Sequence, residues 1–512
     1  MTQFTKIRSA LVSVYYKNNL ETLVHTLAKR NVQFYSTGGT RDFIENLGYP
    51  VQKVEDVTSY PPILDGRVKT LHPKIFGGIL AIRNEDHIGQ LEKYNIPTLD
   101  LVVVDLYPFE QTLKTTDNLA EIIEKIDIGG ISLIRAAAKN YHDVAVISSK
   151  EDYITVNTWL ENQDGGLTVE QRQWLATKAF AVSSRYDMLI YQYFAKIQDS
   201  ASPPNFTQHI QQNRAVRYGE NPHQKALFYG QLEESFDVLG GKELSYNNLV
   251  DVDAAVQLMA EFKENEPTFA IIKHTNVCGI CSRNSISEAY LGALACDSLS
   301  AFGGVFISNK CIDKETAKEI NLLFYEVLIA PDFNEDALEI LLSNQKRIIL
   351  RIKDFLINQQ YFKTILKGVL VQESDLTMED INEVNVATKR SPSKTQLEDL
   401  QFALKCVKHL KSNTITFVKN KQLIGMGCGQ TSRIDACKQA VEKASQFGFS
   451  LKGAVMASDA FFPFPDSVEV AFNAGITSVV QPGGSIKDQL SIDFCDQNNM
   501  SMLLTGIRHF KH

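Results

Sequence analysis

Lys273 and His274 stand directly after the apolar run Phe269-Ala270-Ile271-Ile272. An ammonium and an imidazole at a strand end can face an oxyanion and move a proton near neutral pH, and α/β proteins place their chemistry at such ends. Taken alone, a pair of this kind is more often surface decoration. Three further clusters precede it. Ser36-Thr37-Gly38-Gly39-Thr40 leaves a strand and enters a helix marked by Phe43, Ile44 and Leu47. Its backbone N–H groups at a positive helix end suit a phosphate, although glycine turns also arise for purely geometric reasons. DGRVKTLHP at 65–73 gathers Arg67, Lys69 and His72, with Arg67 and Lys69 on one face if the chain is extended there; the alternative is a solvated basic loop. DIGG at 127–130 opens a helix on which Arg135 and Lys139 share a face, with Asp127 just ahead of its start. That cluster can equally be structural. Farther on, RYGENPHQ at 217–224 mixes a cation, a phenol, an amide and an imidazole, as either a binding loop or an ordinary turn does.

These groups have to be held by the elements around them. Short β-rich runs at 10–14, 32–35, 101–104 and 144–147 alternate with helical patterns, which predicts a parallel sheet covered on both faces. A long helix rich in Ala, Phe and Tyr, 169–197, closes a first domain, 1–198. Residues 199–213, with Pro203-Pro204 and little apolar periodicity, read as a linker. From 214 to 512 strand and helix alternate again. SAFGG at 300–304 and SDAFF at 458–462 echo one another faintly, a hint of two related halves. The basic, amphipathic stretch 346–367 reads as a solvated face rather than a partner site.

The 512 residues carry 52 basic and 60 acidic side chains, a net charge of -8 that opposes general nucleic-acid binding, so any anionic ligand needs a local basic site. No run approaches the roughly 18 apolar residues of a membrane span, and Met1 to Lys6 leads into no signal-peptide core. A cytoplasmic protein without a membrane partner is the expectation. The eight cysteines fall between Cys278 and Cys495. Cys278-Gly279-Ile280-Cys281 has CxxC spacing, but no second Cys/His pair completes a zinc site, so these thiols are read as packing and no metal is expected.

In order and spacing, STGGT, DGRVKTLHP, DLYPF at 105–109 and IDIGG with RAAAKN resemble the IMP cyclohydrolase domain of a bifunctional purine-biosynthesis family. The resemblance implies a methylglyoxal-synthase-like domain in which Lys69, Tyr107, Asp127 and Lys139 carry ring closure. It also implies a nucleotide held by Ser13, Lys17, Arg67 and the turn Ser36, Thr37, Gly38, Gly39, Thr40. In ring closure a weakly nucleophilic carboxamide nitrogen attacks a formyl carbon. Asp127 with Lys139 would relay the carboxamide proton, while Lys69 and Tyr107 would stabilise the oxyanion. The chain departs from the family's usual SVSDK after the first strand: Ser13-Val14-Tyr15-Tyr16-Lys17 has two phenols in place of a small hydroxyl and a carboxylate.

RYGENPHQ, YNNL at 246–249, IKH at 272–274, SAFGG, LIAP at 328–331, KSN at 411–413, GCGQTSR at 427–433, SDAFFPFPD at 458–466 and TGIRHF at 505–510 are similar to the same family's transformylase, which formylates aminoimidazole carboxamide ribonucleotide (AICAR). This resemblance implies two zinc-free cytidine-deaminase-like α/β units across 214–512, with 10-formyltetrahydrofolate as formyl donor. It gives Lys273 and His274 catalytic roles, with Asn413 placing the formyl group. It puts Arg217, Tyr218, Asn248, Arg433 and Arg508 at the nucleotide, and Phe302, Gly303, Glu326, Phe461, Pro463, Asp466 and Phe510 in the folate and base pockets. The AICAR amine is delocalised into its ring and is a poor nucleophile, so His274 is the natural acceptor of its proton. The function implied is formylation of AICAR and cyclisation of formyl-AICAR to IMP, in a homodimer whose transformylase site is shared between subunits. Two other readings compete. A non-catalytic nucleotide sensor predicts phosphate-site residues without a catalytic set. A zinc deaminase requires a His/Cys-x-Glu element with Pro-Cys-x-x-Cys, which this chain lacks.

Overall fold

A run that is apolar at every position can be buried only where both faces are covered, and Leu101–Val104 is buried at all four residues. In the computed structural model it lies in a five-stranded, all-parallel sheet ordered Val51–Lys53, Gln33–Ser36, Ser9–Ser13, Leu101–Val104, Ala145–Ile147. The four strands expected from sequence are present, displaced by at most one residue. The edge strand Val51–Lys53, largely exposed and without an apolar run, is the one the pattern does not signal. Because Ser9–Ser13 lies beside Leu101–Val104, the chain leaves these neighbours in opposite directions, and such a switch point opens a crevice at the C-terminal strand ends. Those ends lead into Val14 to Lys17 on one side and Asp105 to Tyr107 on the other. The long helix Val169–Ile197 has its predicted limits and starts on a capping box of Thr168 and Gln171.

Residues 4–61, 63–64, 67–198, 205–355 and 357–512 are described, in two compact units, Met1–His209 and Ile210–His512. Asp65 and Gly66 of the basic motif, and residues 199–204 of the expected linker, lie outside the described residues. Residues 205–212 form no helix or strand, and Asn213 opens the strand Asn213–Val216.

The second unit contains one topology twice. A six-stranded mixed sheet runs Phe236–Gly240, Ile348–Ile352, Val327–Ala330, Val305–Ser308, Thr268–Lys273, Asn276–Ser282. Its counterpart runs Asn385–Val386, Ser501–Leu504, Ser478–Gln481, Val455–Ser458, Ile415–Val418, Leu423–Gly427, with the same sense at every pairing. Both copies carry a bulge at the same place, between Ile271/Ile272 and between Phe417/Val418. Beside each bulge a glycine presses on a helix: a Cβ would lie 1.9 Å from the Ala293 carbonyl oxygen at Gly279, and 2.6 Å from that of Ala440 at Gly425. The echo that hinted at two halves joins non-equivalent positions, however. Ser300 to Gly304 precede Val305–Ser308, whereas Ser458 ends the counterpart strand Val455–Ser458.

Alternation along each strand divides the side chains between layers. Ala270 and Ile272 enter a central core shared with the helices Tyr246–Ala260 and Lys394–Lys408 and with the second sheet, while Phe269 and Ile271 pack outward against Ile286–Cys296. The outer face of the second sheet is covered by Arg433–Gln446, Asp466–Ala474 and Asp488–Gln497. The stretch 346–367 is not one solvated face. It divides into the core strand Ile348–Ile352 and an exposed strand, Gln360–Ile365, paired with the equally exposed Gly368–Glu373.

Candidate active sites

In the first unit the three clusters meet at the C-terminal ends of the strands. A Cβ on Gly38 would lie 3.7 Å from Lys69 Nζ, which places the ammonium at the first turn of the helix Gly38–Asn46. Thr70 Oγ1 would lie 3.2 Å from a Cβ on Gly129, where the helix Gly129–Lys139 begins. Asp127 caps that helix, its Oδ1 accepting from Gly130 N at 2.6 Å. The Tyr186 hydroxyl, from the long helix, accepts from Asp127 N at 2.8 Å and donates to Lys125 O at 2.7 Å. Burial raises the Asp127 carboxyl pKa above the ordinary range, against the opposing pull of the Gly130, Tyr107 and Ile131 N–H groups. The Tyr107 phenol is raised as well, first by burial and then by the Asp127 charge. A carboxyl whose pKa is raised by burial is a stronger base than a free one, which suits it to proton transfer.

Asp105 joins the two loops at the crevice, its oxygens accepting from Tyr15 N and, at 2.9 Å, from Tyr16 N. The Tyr15 ring meets the Tyr107 ring edge-on with centroids 5.7 Å apart, and Lys125 Nζ lies 5.9 and 5.8 Å from the two centroids. Tyr16 donates to Gln111 Oε1 at 2.8 Å beneath Lys150. The substituted loop therefore supplies Tyr107 with an aromatic neighbour. Ser13 ends its strand. Lys17 Nζ turns back onto the Val14 and Tyr15 carbonyls, and burial lowers its pKa. Ser36 Oγ donates to Val12 O at 2.6 Å and Thr40 Oγ1 to Val14 O at 3.0 Å. With these hydroxyls engaged, the turn from Ser36 through Thr37 and Gly39 offers an anion mainly its backbone N–H groups.

One expectation is corrected here. Residues 67–70 form turns, not an extended segment, so Arg67 and Lys69 diverge: Arg67 pairs with Glu124 and Lys69 reaches Gly38. Lys139 is the last residue of the helix that Asp127 caps, so about 15 Å of helix rise separates the two backbones. No ion pair joins Asp127 to Lys139 across that span within one chain.

In the second unit, Lys273 and His274 stand at the turn between Thr268–Lys273 and Asn276–Ser282. Lys273 Nζ donates to Phe302 O at 2.8 Å. Gly303 N donates to Phe324 O at 2.8 Å, and Phe302 packs on Phe324 while staying 57% exposed. Glu326 pairs with Lys242 at 2.6 Å. The exposed His274 follows, its backbone N–H donating to Asp251 Oδ2 at 3.2 Å.

Asn413 is fixed at both ends of its amide, donating to Gln430 O at 3.0 Å and accepting from Arg433 Nη2 at 2.8 Å. Arg433, expected at the nucleotide, is 7% exposed; it also donates to Phe461 O and Ser458 Oγ and pairs with Asp459. Within the chain it acts as the post that holds Asn413 and the loop bearing Phe461 and Pro463. Asp466 starts the next helix and accepts from Ser467 N at 2.7 Å. Arg217 stacks on Tyr218, 4.7 Å from the ring centroid, in the loop after Asn213–Val216. Asn247 ties that loop to the helix Tyr246–Ala260 through Glu220 O at 3.2 Å. Asn248 is buried and gives its Oδ1 to a capping box with Ser245. Arg508 stacks on Phe510 at 4.4 Å, and the tail is laced to the KSN loop by Ser412 N to Lys511 O at 3.0 Å and Lys511 N to Ser412 Oγ at 3.2 Å.

Sequence reasoning passed over Asp105, Asp251 and His509. Asp105 and Asp251 stand inside or beside quoted motifs, but their partners are backbone N–H groups, which leave no mark in a sequence. Cys278 and Cys281 lie in the outer apolar layer, where burial pushes both thiols up to about 12. Among the described residues no three or more His, Cys, Asp or Glu are placed to hold a metal ion, and no helix is long and apolar enough to cross a membrane.

A family model described as "AICARFT/IMPCHase bienzyme" matches residues 137–443, and one described as "MGS-like domain" matches residues 19–132. The "Bifunctional purine biosynthesis protein PurH" of Bacteroides thetaiotaomicron is 54% identical across 100% of this chain and 100% of its own length. Proteins of the same name from a Thermoanaerobacter species and from Acetivibrio thermocellus are each 45% identical, across 99% of this chain and 100% of theirs. With more than half its length matched by one family model and relatives aligned end to end, the chain belongs to the AICARFT/IMPCHase bienzyme family, which formylates AICAR and cyclises the product to IMP.

Proposed function

We propose that residues 1–198 carry the cyclisation and residues 214–512 the formyl transfer, in a cytoplasmic homodimer. For formyl transfer, His274 accepts the proton of the AICAR amine as its nitrogen attacks the formyl carbon. Lys273 faces the oxyanion that forms and donates a proton to the tetrahydrofolate nitrogen that leaves. Asn413 is held by Gln430, Thr431 and Arg433, and its Nδ2, whose 3.4 Å bond to Thr431 O is the weakest of these, places the formyl oxygen. The observation that carries this reading is a chain of contacts from the turn to Asn413. Asn276 Nδ2 donates to His274 O at 3.0 Å, Cys428 Sγ to Asn276 Oδ1 at 3.5 Å, Gly429 N to Lys411 O at 2.7 Å and Asn413 Nδ2 to Gln430 O at 3.0 Å.

For cyclisation, Asp127 takes the carboxamide proton and returns it to the hydroxyl that leaves as water, while Lys69 and Tyr107 stabilise the oxyanion that precedes it. The backbone N–H groups of the helix turn at Gly38 hold the phosphate. Apolar surface on the hairpin Gln360–Ile365/Gly368–Glu373 supports the dimer. Leu366 at its tip is fully exposed and Leu370 is 60% exposed, a pattern that marks association surfaces. The test is incubation of the purified chain with AICAR and 10-formyltetrahydrofolate, with IMP and tetrahydrofolate followed together. They should appear one for one; nucleotide binding without turnover would establish the sensor instead.

A further inference from the structure

The turn that carries His274 is built against the preferences of its residues. His274 and Thr275 both have positive φ, +53° and +62°, between two paired strands, where hairpins favour asparagine and glycine. Histidine visits that region, but a β-branched residue rarely does. The Asp251 carboxylate spans the turn: Oδ2 accepts from His274 N at 3.2 Å and Oδ1 from Thr275 N at 2.7 Å. The second half of the unit repeats the device. Asn420 and Lys421 both have φ +53°, and Asp399 accepts from their N–H groups at 2.9 and 2.7 Å. Asp251 and Asp399 occupy the same position on helices capped by Ser245 and Ser393. The two copies differ in cargo. Where the second has Asn420, a residue the turn prefers, the first has an imidazole.

We propose that Asp251 is a positioning residue for formyl transfer, its carboxylate holding His274 in the left-handed conformation that presents the imidazole to the AICAR amine. Asp399 is its structural twin without a catalytic load. The proposal rests on the reading of His274 as the proton acceptor.

The test uses the full chain. Asp251→Ala should lower the formyl-transfer kcat about 10- to 100-fold, as a small misplacement of a catalytic group does, while KM for AICAR changes by less than about twofold. Cyclisation of supplied formyl-AICAR should be unchanged, which certifies the fold of the first unit, and a thermal melt checks the second. Adding Thr275→Gly to Asp251→Ala should restore most of the lost kcat, because glycine adopts positive φ unaided. Asp399→Ala should lower the melting temperature yet leave kcat within about twofold. Wild-type kcat in a folded Asp251→Ala variant, a loss that Thr275→Gly leaves unrepaired, or an equal loss in Asp399→Ala would each overturn the proposal. His274→Ala in the same assay tests the underlying reading separately: retained formyl transfer there would remove His274 from the mechanism whatever Asp251 does.

Discussion

Replacing His509 with glutamine removes the cation from a buried clamp that anchors the C-terminal tail. His509 is 3% exposed, with Nδ1 2.6 Å from Asp375 and Nε2 3.0 Å from Glu379. Burial alone favours the neutral ring, but the two carboxylates outweigh it and the pKa is pushed up to about 9 from 6.5. The folded state therefore holds the proton more tightly than the unfolded chain. Its stabilisation is complete below pH 6.5 and is lost as the pH rises through 9. At 1.36 kcal/mol per unit this amounts to about 3 kcal/mol at pH 6.5, falling to roughly half of that near pH 8 and to almost nothing at pH 9.5. Lys408 and His409 also act on Asp375, so the informative quantity is the gap between wild type and His509→Gln rather than either curve alone. Both tryptophans, Trp159 and Trp174, lie in the first unit, so their fluorescence controls for that unit, formyl-transfer activity reports the second, and backbone circular dichroism reports the two together. In denaturant titrations from pH 6.5 to 9.5 the gap should close from about 3 kcal/mol to near zero. Because Arg508 and Phe510 flank His509, KM for AICAR should be raised in the variant at pH 7 and converge with wild type at pH 9.5. A gap that is absent at pH 6.5, or that does not change with pH, would refute the reasoning.

Tyr15→Ser should slow cyclisation of formyl-AICAR by about 2- to 10-fold through loss of the edge-on contact with Tyr107, whereas Tyr15→Phe, which keeps the ring, should match wild type; affinity for IMP should barely change in either. Exhaustive zinc chelation should leave both activities intact, and Cys278→Ser and Cys281→Ser should each retain most turnover; a stoichiometric zinc whose removal stops formyl transfer would contradict this. Leu366→Asp combined with Leu370→Asp should shift the protein toward monomer in light scattering and depress formyl transfer more than cyclisation, and an unchanged dimer would remove the hairpin from the interface.

Leu101–Val104 and Phe269 to Ile272 were legible because a strand buried on both faces must be apolar at every position. The duplication in the second unit was legible through the family resemblance and scarcely through internal sequence similarity, since what repeats is geometry. The bulge, the glycine against a helix and the carboxylate across the turn recur, while the side chain on show changes from His274 to Asn420. Motifs brought Lys69, Tyr107 and Asp127 forward together, and the fold places them around one crevice. The place of Lys139 at the far end of the helix that starts after Asp127 was not legible, because a shared helical face with Arg135 says nothing about which end of the helix meets the site. The shared face of Arg67 and Lys69 did not form, because the alternate-residue rule presumes an extended chain and residues 67–70 form turns. The His509 clamp joins residues more than a hundred positions apart, beyond any local pattern.

The most direct test of two chemistries on two separate units is a pair of variants assayed singly and mixed. His274→Ala should make no IMP from AICAR and 10-formyltetrahydrofolate yet still cyclise supplied formyl-AICAR. Lys69→Ala should release tetrahydrofolate and accumulate formyl-AICAR, and mixing the two should restore IMP. Loss of cyclisation in a well-folded His274→Ala variant, or a mixture that stays inactive, would contradict the account.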